Sequence, residues 1–158
     1  MRRLATLFAL GCLCAEPARA IDSVVLGRGL SNEFFAEVEC SPTDICMDSL
    51  YVWELDAKRT VVGPTITGRV RAVVSVHALA TSEFVRSVEL FVLRPVEKSE
   101  ADDPRSPTFS LLALSPRYPG GKYCLYMDPR SVGLEVETST SSDGMFCFRR
   151  SDLLRPRK

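Results

Sequence analysis

His77 is the only histidine in a chain of 158 residues, so any acid–base chemistry of the imidazole type must pass through it. Such a base needs a nucleophile within hydrogen-bond reach and a third group to orient the ring. No GxSxG turn is present to supply a serine. The segment GRVRAVVSVHA alternates with the period of a strand, which puts His77 on the polar face beside Arg69, Arg71 and Ser75. The simpler reading is an exposed strand histidine without a catalytic role. The competing one is a small hydrolase that uses His77 with a serine or acid the sequence does not identify.

Charged residues form the second candidate. Glu54 and Asp56 alternate with apolar residues in YVWELDAK, and the Gly63-Pro64 turn brings that strand back against Arg69 and Arg71. Two functions fit. One is cross-strand ion pairing on a solvated face, which contributes under about 1 kcal/mol per pair. The other is a polar binding surface made of Glu54, Asp56, Arg69, Arg71 and His77. The acids between Glu97 and Asp103 lack the order of a calcium loop, and Gly120-Gly121-Lys122 lacks the spacing of a phosphate loop. No metal and no cofactor are expected. The basic tail RRSDLLRPRK reads first as a solvated, frayed end and second as a contact for lipid headgroups or an acidic partner. Tyr51 and Trp53 fall on the apolar face of their strand and are expected in the core.

Cysteine usage depends on compartment. Residues 1–20, MRRLATLFALGCLCAEPARA, have a basic start, an apolar run from Leu4 to Ala15 and a small-x-small end at Ala18-Arg19-Ala20. That is the pattern of a signal peptide for Sec export, cut after Ala20. A lipidated cysteine or a twin-arginine signal fits less well, since neither motif is complete. The product is expected in the periplasm or outside the cell, where disulfides persist. Cys40, Cys46, Cys124 and Cys147 then remain, with three possible pairings. The short turn SPTDI favours Cys40 with Cys46. The strand-like surroundings of the other two favour Cys124 with Cys147, provided Tyr123, Leu125, Phe146 and Phe148 face inward. A zinc site of four thiolates is the rival, but CxxC spacing is missing.

Residues 21–158 are expected to form a single stapled domain, long enough to bury a core of its own. Removal of the leader leaves 17 basic and 19 acidic residues, a net charge of −2. Such a balance gives no field to steer the domain toward nucleic acid, and no later run is long and apolar enough to span a bilayer. The expected partner is a protein or another component of the envelope.

The elements that would carry these residues read as strands. SVVLG is a short apolar strand, and SNEFFAEVEC a helical turn capped by Ser31. Leu50 to Val62 and the segment from Ile66 to Ala78 alternate cleanly, with Val70, Ala72, Val74, Val76 and Ala78 on the inner face. FVRSVELFVLRP reads as a third strand of the same antiparallel meander, closed by Pro95. VEKSEADDPRSP reads as an exposed loop and SLLALSP as an apolar segment of undecided type. KYCLYM, VGLEVET and MFCFRR are strand candidates, separated from one another by Gly120-Gly121 and the polar turn TSTSSD.

The succession VVLGRG, YVWELDAKRTVVGP and GRVRAVV, with cysteines outside the strands, resembles the netrin-like domain. That is the OB-type barrel also found in tissue inhibitors of metalloproteinases. The resemblance covers Val24 to Arg94. It implies an all-β, mostly antiparallel OB-like Greek-key barrel of five or six strands, to which the immunoglobulin-like sandwich is the alternative. Inhibitory members of the family act through an N-terminal cysteine. No cysteine stands between Ile21 and Cys40 here, so that mechanism and its residues do not carry over. The expectation is an exported, non-enzymatic binding module, with an inhibitor or an envelope accessory protein as its possible roles.

Overall fold

The computed structural model describes residues 21–38, 48–77, 79–96 and 106–154. Three antiparallel strands come first: β1 (Ser23–Glu37), β2 (Ser49–Val62) and β3 (Gly68–Val76). The helix α1 (Ser82–Ser87) then leads into β4 (Val88–Pro95), and β5 (Phe109–Pro116) follows. β4 pairs antiparallel with both β1 and β5. β5 meets β3 in parallel, and the ring closes in the order β1-β2-β3-β5-β4. This is an OB-type Greek-key barrel. A closed ring has no pair of facing sheets, so the immunoglobulin-like alternative falls away.

A smaller sheet is appended to the barrel. It contains β6 (Lys122–Leu125), β7 (Ser139–Thr140) and β8 (Phe146–Arg149) in the order β6-β8-β7, and α2 (Arg150–Leu154) follows directly. The appendage accounts for a contrast in patterning. Val25, Trp53, Leu55, Ala72, Phe91 and Leu93 fill the barrel, while Val24, Leu26, Leu90 and Val92 point outward against Tyr123, Leu125, Leu134 and Phe148. Val24 to Leu26 of β1 and Leu90 to Leu93 of β4 are therefore buried on both faces, and these two stretches are continuous apolar runs. β2 has one wet face and alternates. Each large side chain buried in either core contributes about 1.5–3 kcal/mol, more than any exposed ion pair.

Local chemistry explains the turns. Gly63 sits at φ +84°, and a Cβ there would lie 2.2 Å from the Asp22 carbonyl oxygen. The Ser23 hydroxyl donates to the Pro64 carbonyl. The Thr60 hydroxyl both accepts from the Ile66 N–H and donates to the Ile66 carbonyl.

Four expectations require correction. SNEFFAEVEC does not form a helical turn: Ser31 to Glu37 continue β1, paired with Ser49 to Glu54 of β2 around a bulge at Phe35, and Phe34 meets Tyr51 edge to face. Cross-strand pairing there overrides the local capping signal. FVRSVELFVLRP is only half strand, because the Thr81 side chain accepts from the Phe84 N–H and starts α1, leaving β4 to begin at Val88. β4 does not extend the meander either, since it pairs with β1 and β5, and β3 takes β5 as its second neighbour. VGLEVET is not a strand. Val132 ends a 3-10 helix (Pro129–Val132), Gly133 turns the chain in a left-handed conformation, and Leu134 is buried without ladder pairing. SLLALSP is settled as part of β5.

Cys124 and Cys147 stand directly opposite each other in the β6–β8 ladder and form a disulfide, as their flanking residues implied. Cys40 and Cys46 lie outside the described residues, as do Glu97 to Asp103 and Ala78.

Candidate functional site

The β2–β3 register places Glu54 opposite Arg71 and Asp56 opposite Arg69, so the polar face forms as the alternation implied. Its side chains largely satisfy one another. Arg69 reaches diagonally to Glu54 at 3.6 Å, Arg71 donates to Glu33 at 2.6 Å, and Lys58 pairs with Asp56. The Ser31 hydroxyl also lies 3.4 Å from Glu54. Four of the five expected site residues are thus together. Glu33 joins them from the part of β1 that extends beyond the barrel, a residue the helical-turn reading could not place there.

His77 is apart from this group. It follows the end of β3, six residues beyond Arg71, which is about 20 Å at strand rise. Its Nδ1 contacts Asp48, and the Ser75 hydroxyl donates to the other oxygen of the same carboxylate at 3.2 Å. These are the residue types of a hydrolytic triad in the wrong order. In a working triad the imidazole stands between acid and hydroxyl, so that it can take the hydroxyl proton. Here the carboxylate stands in the middle. The imidazole is also 73% exposed, which leaves a developing charge screened by water.

A different surface emerges where the barrel wall is thinnest. β3 and β5 share ladder partners at only two positions, Ala72 with Phe109 and Val73 with Ser110. Past these the strands separate, and an apolar cleft of about 360 Å³ opens between them. Trp53 of β2 lies at its base, 3% exposed, with Phe84 of α1 edge-on to the indole at 6.4 Å between ring centroids. Val74 of β3, Leu112 and Leu114 of β5, and Tyr126 beyond β6 form the walls and rim. Not one lining residue carries a charge. Phe84, Leu112 and Tyr126 are 40%, 37% and 78% exposed, so the rim presents large apolar side chains to solvent.

Two supports hold that cleft. The helix α1 lies so close to β1 that a Cβ on Gly29 would stand 2.2 Å from the Val85 carbonyl oxygen. On the other side, Cys124 lines the cleft while its disulfide partner Cys147 lines a polar pocket with Lys122, Glu137 and Arg149. Beneath the appended sheet the Tyr123 hydroxyl donates to Glu89 at 2.8 Å, and Arg150 approaches the same carboxylate at 3.6 Å. Burial, and then this hydrogen bond, push the Tyr123 phenol up to about 12.

Sequence reasoning placed Trp53 in the core correctly but did not see that it floors an opening. The available signal was the unbroken run Leu111-Leu112-Ala113-Leu114. A strand buried on only one face would alternate there, so the run implied apolar surroundings on both sides. Among the described residues no group of histidine, cysteine, aspartate and glutamate could hold a metal ion, and no helix is long and apolar enough to cross a membrane. No family model, curated protein or solved structure matches the chain.

Proposed function

We propose that this protein is an exported, non-enzymatic binding module of the bacterial type of envelope factor, and that its ligand is apolar and enters the cleft between β3 and β5. The carrying observation is the uncharged cleft itself, floored by Trp53 and rimmed by exposed Phe84, Leu112 and Tyr126. Its size falls in the range of ligand pockets, but apart from the phenols of Tyr118 and Tyr126 its lining offers no acid, base or nucleophile for chemistry. The polar face of β2 and β3 supports a binding role less directly, because its charges are already engaged with one another. The netrin-like resemblance is carried as part of the same proposal. An OB-type barrel is what it requires, and an inhibitor or accessory role is what it suggests.

Trp53 is the chain's only tryptophan, so occupation of the cleft has a built-in reporter. The apolar dye N-phenylnaphthylamine, titrated into the purified mature domain, is expected to bind and to change Trp53 emission. Leu112→Asp is expected to weaken that binding at least tenfold. A domain that binds no dye would remove the basis of the reading. Export is checked by the mature N-terminus, expected to read Ile-Asp-Ser. Turnover of an ester, peptide or glycan that His77→Ala abolishes would establish the hydrolase instead.

A further inference from the structure

The cleft is bounded by more than apolar side chains. Val74 to Val76 of β3 pair with β2 on one side, and Leu111, Ala113 and Leu114 of β5 pair with β4 on one side, Leu112 standing at a bulge in that ladder. Neither stretch has a ladder partner on the side facing the cleft among the described residues. Backbone N–H and C=O groups along a strand edge are obligatory hydrogen-bonding groups, and an uncovered edge is a template for another strand. The two features coincide here, an apolar trough and an edge along it without a ladder partner among the described residues.

We propose that the occupant of the cleft is an extended peptide segment with small apolar side chains at alternate positions, which adds as a strand to the Leu111–Leu114 edge of β5. This rests on the binding-module reading above and names its ligand class. The length of the site follows from the far end of β5. There the Cys124 N–H donates to the Ser115 side-chain hydroxyl at 2.9 Å, which holds β6 beside β5 just beyond Leu114. At the near end β3 covers it through Ser110. Four residues remain, about 13 Å of strand. Alternate side chains of the added strand would point into the trough against Trp53 and Leu114, and the uncharged lining selects against acids and bases at those positions. Main-chain hydrogen bonds would supply affinity and the trough would supply preference, as in other recognition by strand addition.

The test uses the mature domain and a fluorescent hexapeptide of alternating valine and threonine with a lysine at each end. Two further versions carry N-methyl groups on alternate backbone amides, one set on each edge of the strand. The parent peptide is expected to bind and to displace N-phenylnaphthylamine. The set that blocks the edge facing β5 is expected to weaken binding at least tenfold, and the other set less than threefold. Leu112→Asp, at an exposed position that does not threaten folding, is expected to weaken the parent peptide at least tenfold with an unchanged circular dichroism spectrum. Dye binding that the peptide does not displace would overturn strand addition and leave the cleft as a small-molecule site. Equal binding by all three peptides would also overturn it, since side chains alone would then account for affinity. A concentration-dependent dimer in sedimentation that the peptide does not dissociate would assign the edge to a second copy. Absence of both dye and peptide binding would remove the binding-module reading as well.

Discussion

The polar face of β2 and β3 and the cleft between β3 and β5 share a strand, yet they differ in what they leave unsatisfied. On the polar face, Arg69, Arg71 and Lys58 each have an acidic partner from within the domain. In the cleft, apolar rings face water and two strand edges lack partners among the described residues. Exposed ion pairs cost little to make or break, so a charged face is compatible with binding but does not ask for it. Exposed aromatic surface beside unpaired backbone is a standing cost that a ligand would remove. A cluster of charges therefore says less about function than a surface whose groups have nothing to meet.

The strongest way to break the contrast is to remove the staple beside the cleft. Cys124→Ser combined with Cys147→Ser opens a loop closed over 23 residues of sequence separation. The loop-entropy account puts the loss at about 3 kcal/mol, readable as a lower midpoint in urea. Dye binding should weaken in parallel, since Cys124 is part of the cleft wall. A double variant with unchanged midpoint would show that the appended sheet holds its place without the bond.

A second variant acts on the opposite wall. Gly29→Ala sets a methyl against the Val85 carbonyl, and the closest atom, a backbone oxygen, cannot swing aside as a flexible side chain would. The expected loss is about 1–3 kcal/mol, the range of overpacked sites. Because α1 also carries Phe84, the displacement should raise the dye dissociation constant while leaving the pairs on the polar face intact. Equal stability of the variant and the parent would mean that α1 is not seated on β1 as described.

These two variants also mark what the sequence could and could not disclose. β2 and its inner residues Trp53, Leu55 and Ala57 were legible because a strand with one wet face alternates. The Cys124–Cys147 bond was legible for a similar reason, since Tyr123, Leu125 and Phe148 fixed which way the sulfurs point. α1 was not, because six residues are too few for helical periodicity to outweigh the apolar residues continuing into β4. The cleft was least legible of all. It arises where β3 and β5, a parallel pair separated by more than thirty residues, diverge after two positions, and no local pattern encodes that. The polar face was read correctly in composition, yet His77 was grouped with it on strand parity alone. Parity says which face a residue takes and nothing about how far along the strand it lies.

Alkaline pH sharpens the contrast with a smaller effect. The folded state pushes the Tyr123 phenol up to about 12 by burial and by its hydrogen bond to Glu89, against about 10 in an unfolded chain. The folded state thus holds this proton more tightly. The stabilisation is fully present below about pH 10 and is lost as pH rises through about 12. Tyr123→Phe should flatten that part of the stability profile and cost about 1 kcal/mol at neutral pH, because Glu89 loses one donor and keeps Arg150. An alkaline profile identical to that of the parent would place the sensitivity in another group.

The smallest expected effect falls on the polar face itself. Arg69→Gln with Arg71→Gln removes both cations without building a cluster of new acids beside Glu33, Glu54 and Asp56. Arg69 is mostly exposed and its 3.6 Å contact with Glu54 is a solvated pair. Arg71 is more enclosed, and its 2.6 Å bond to Glu33 is the better formed of the two. Exposed pairs contribute about 0–1 kcal/mol each, so the double variant should lose no more than about 1 kcal/mol, nearly all of it from Arg71. Glu33 keeps its access to water, which limits the penalty of leaving it unpaired. If ligands enter between β3 and β5, dye and peptide affinities should change less than twofold. If a partner instead docks on the charges, capture of that partner should fall while dye binding holds, and added salt should mimic the substitution. That second pattern would move the contact surface onto the β2–β3 face and leave the cleft with a role in packing alone.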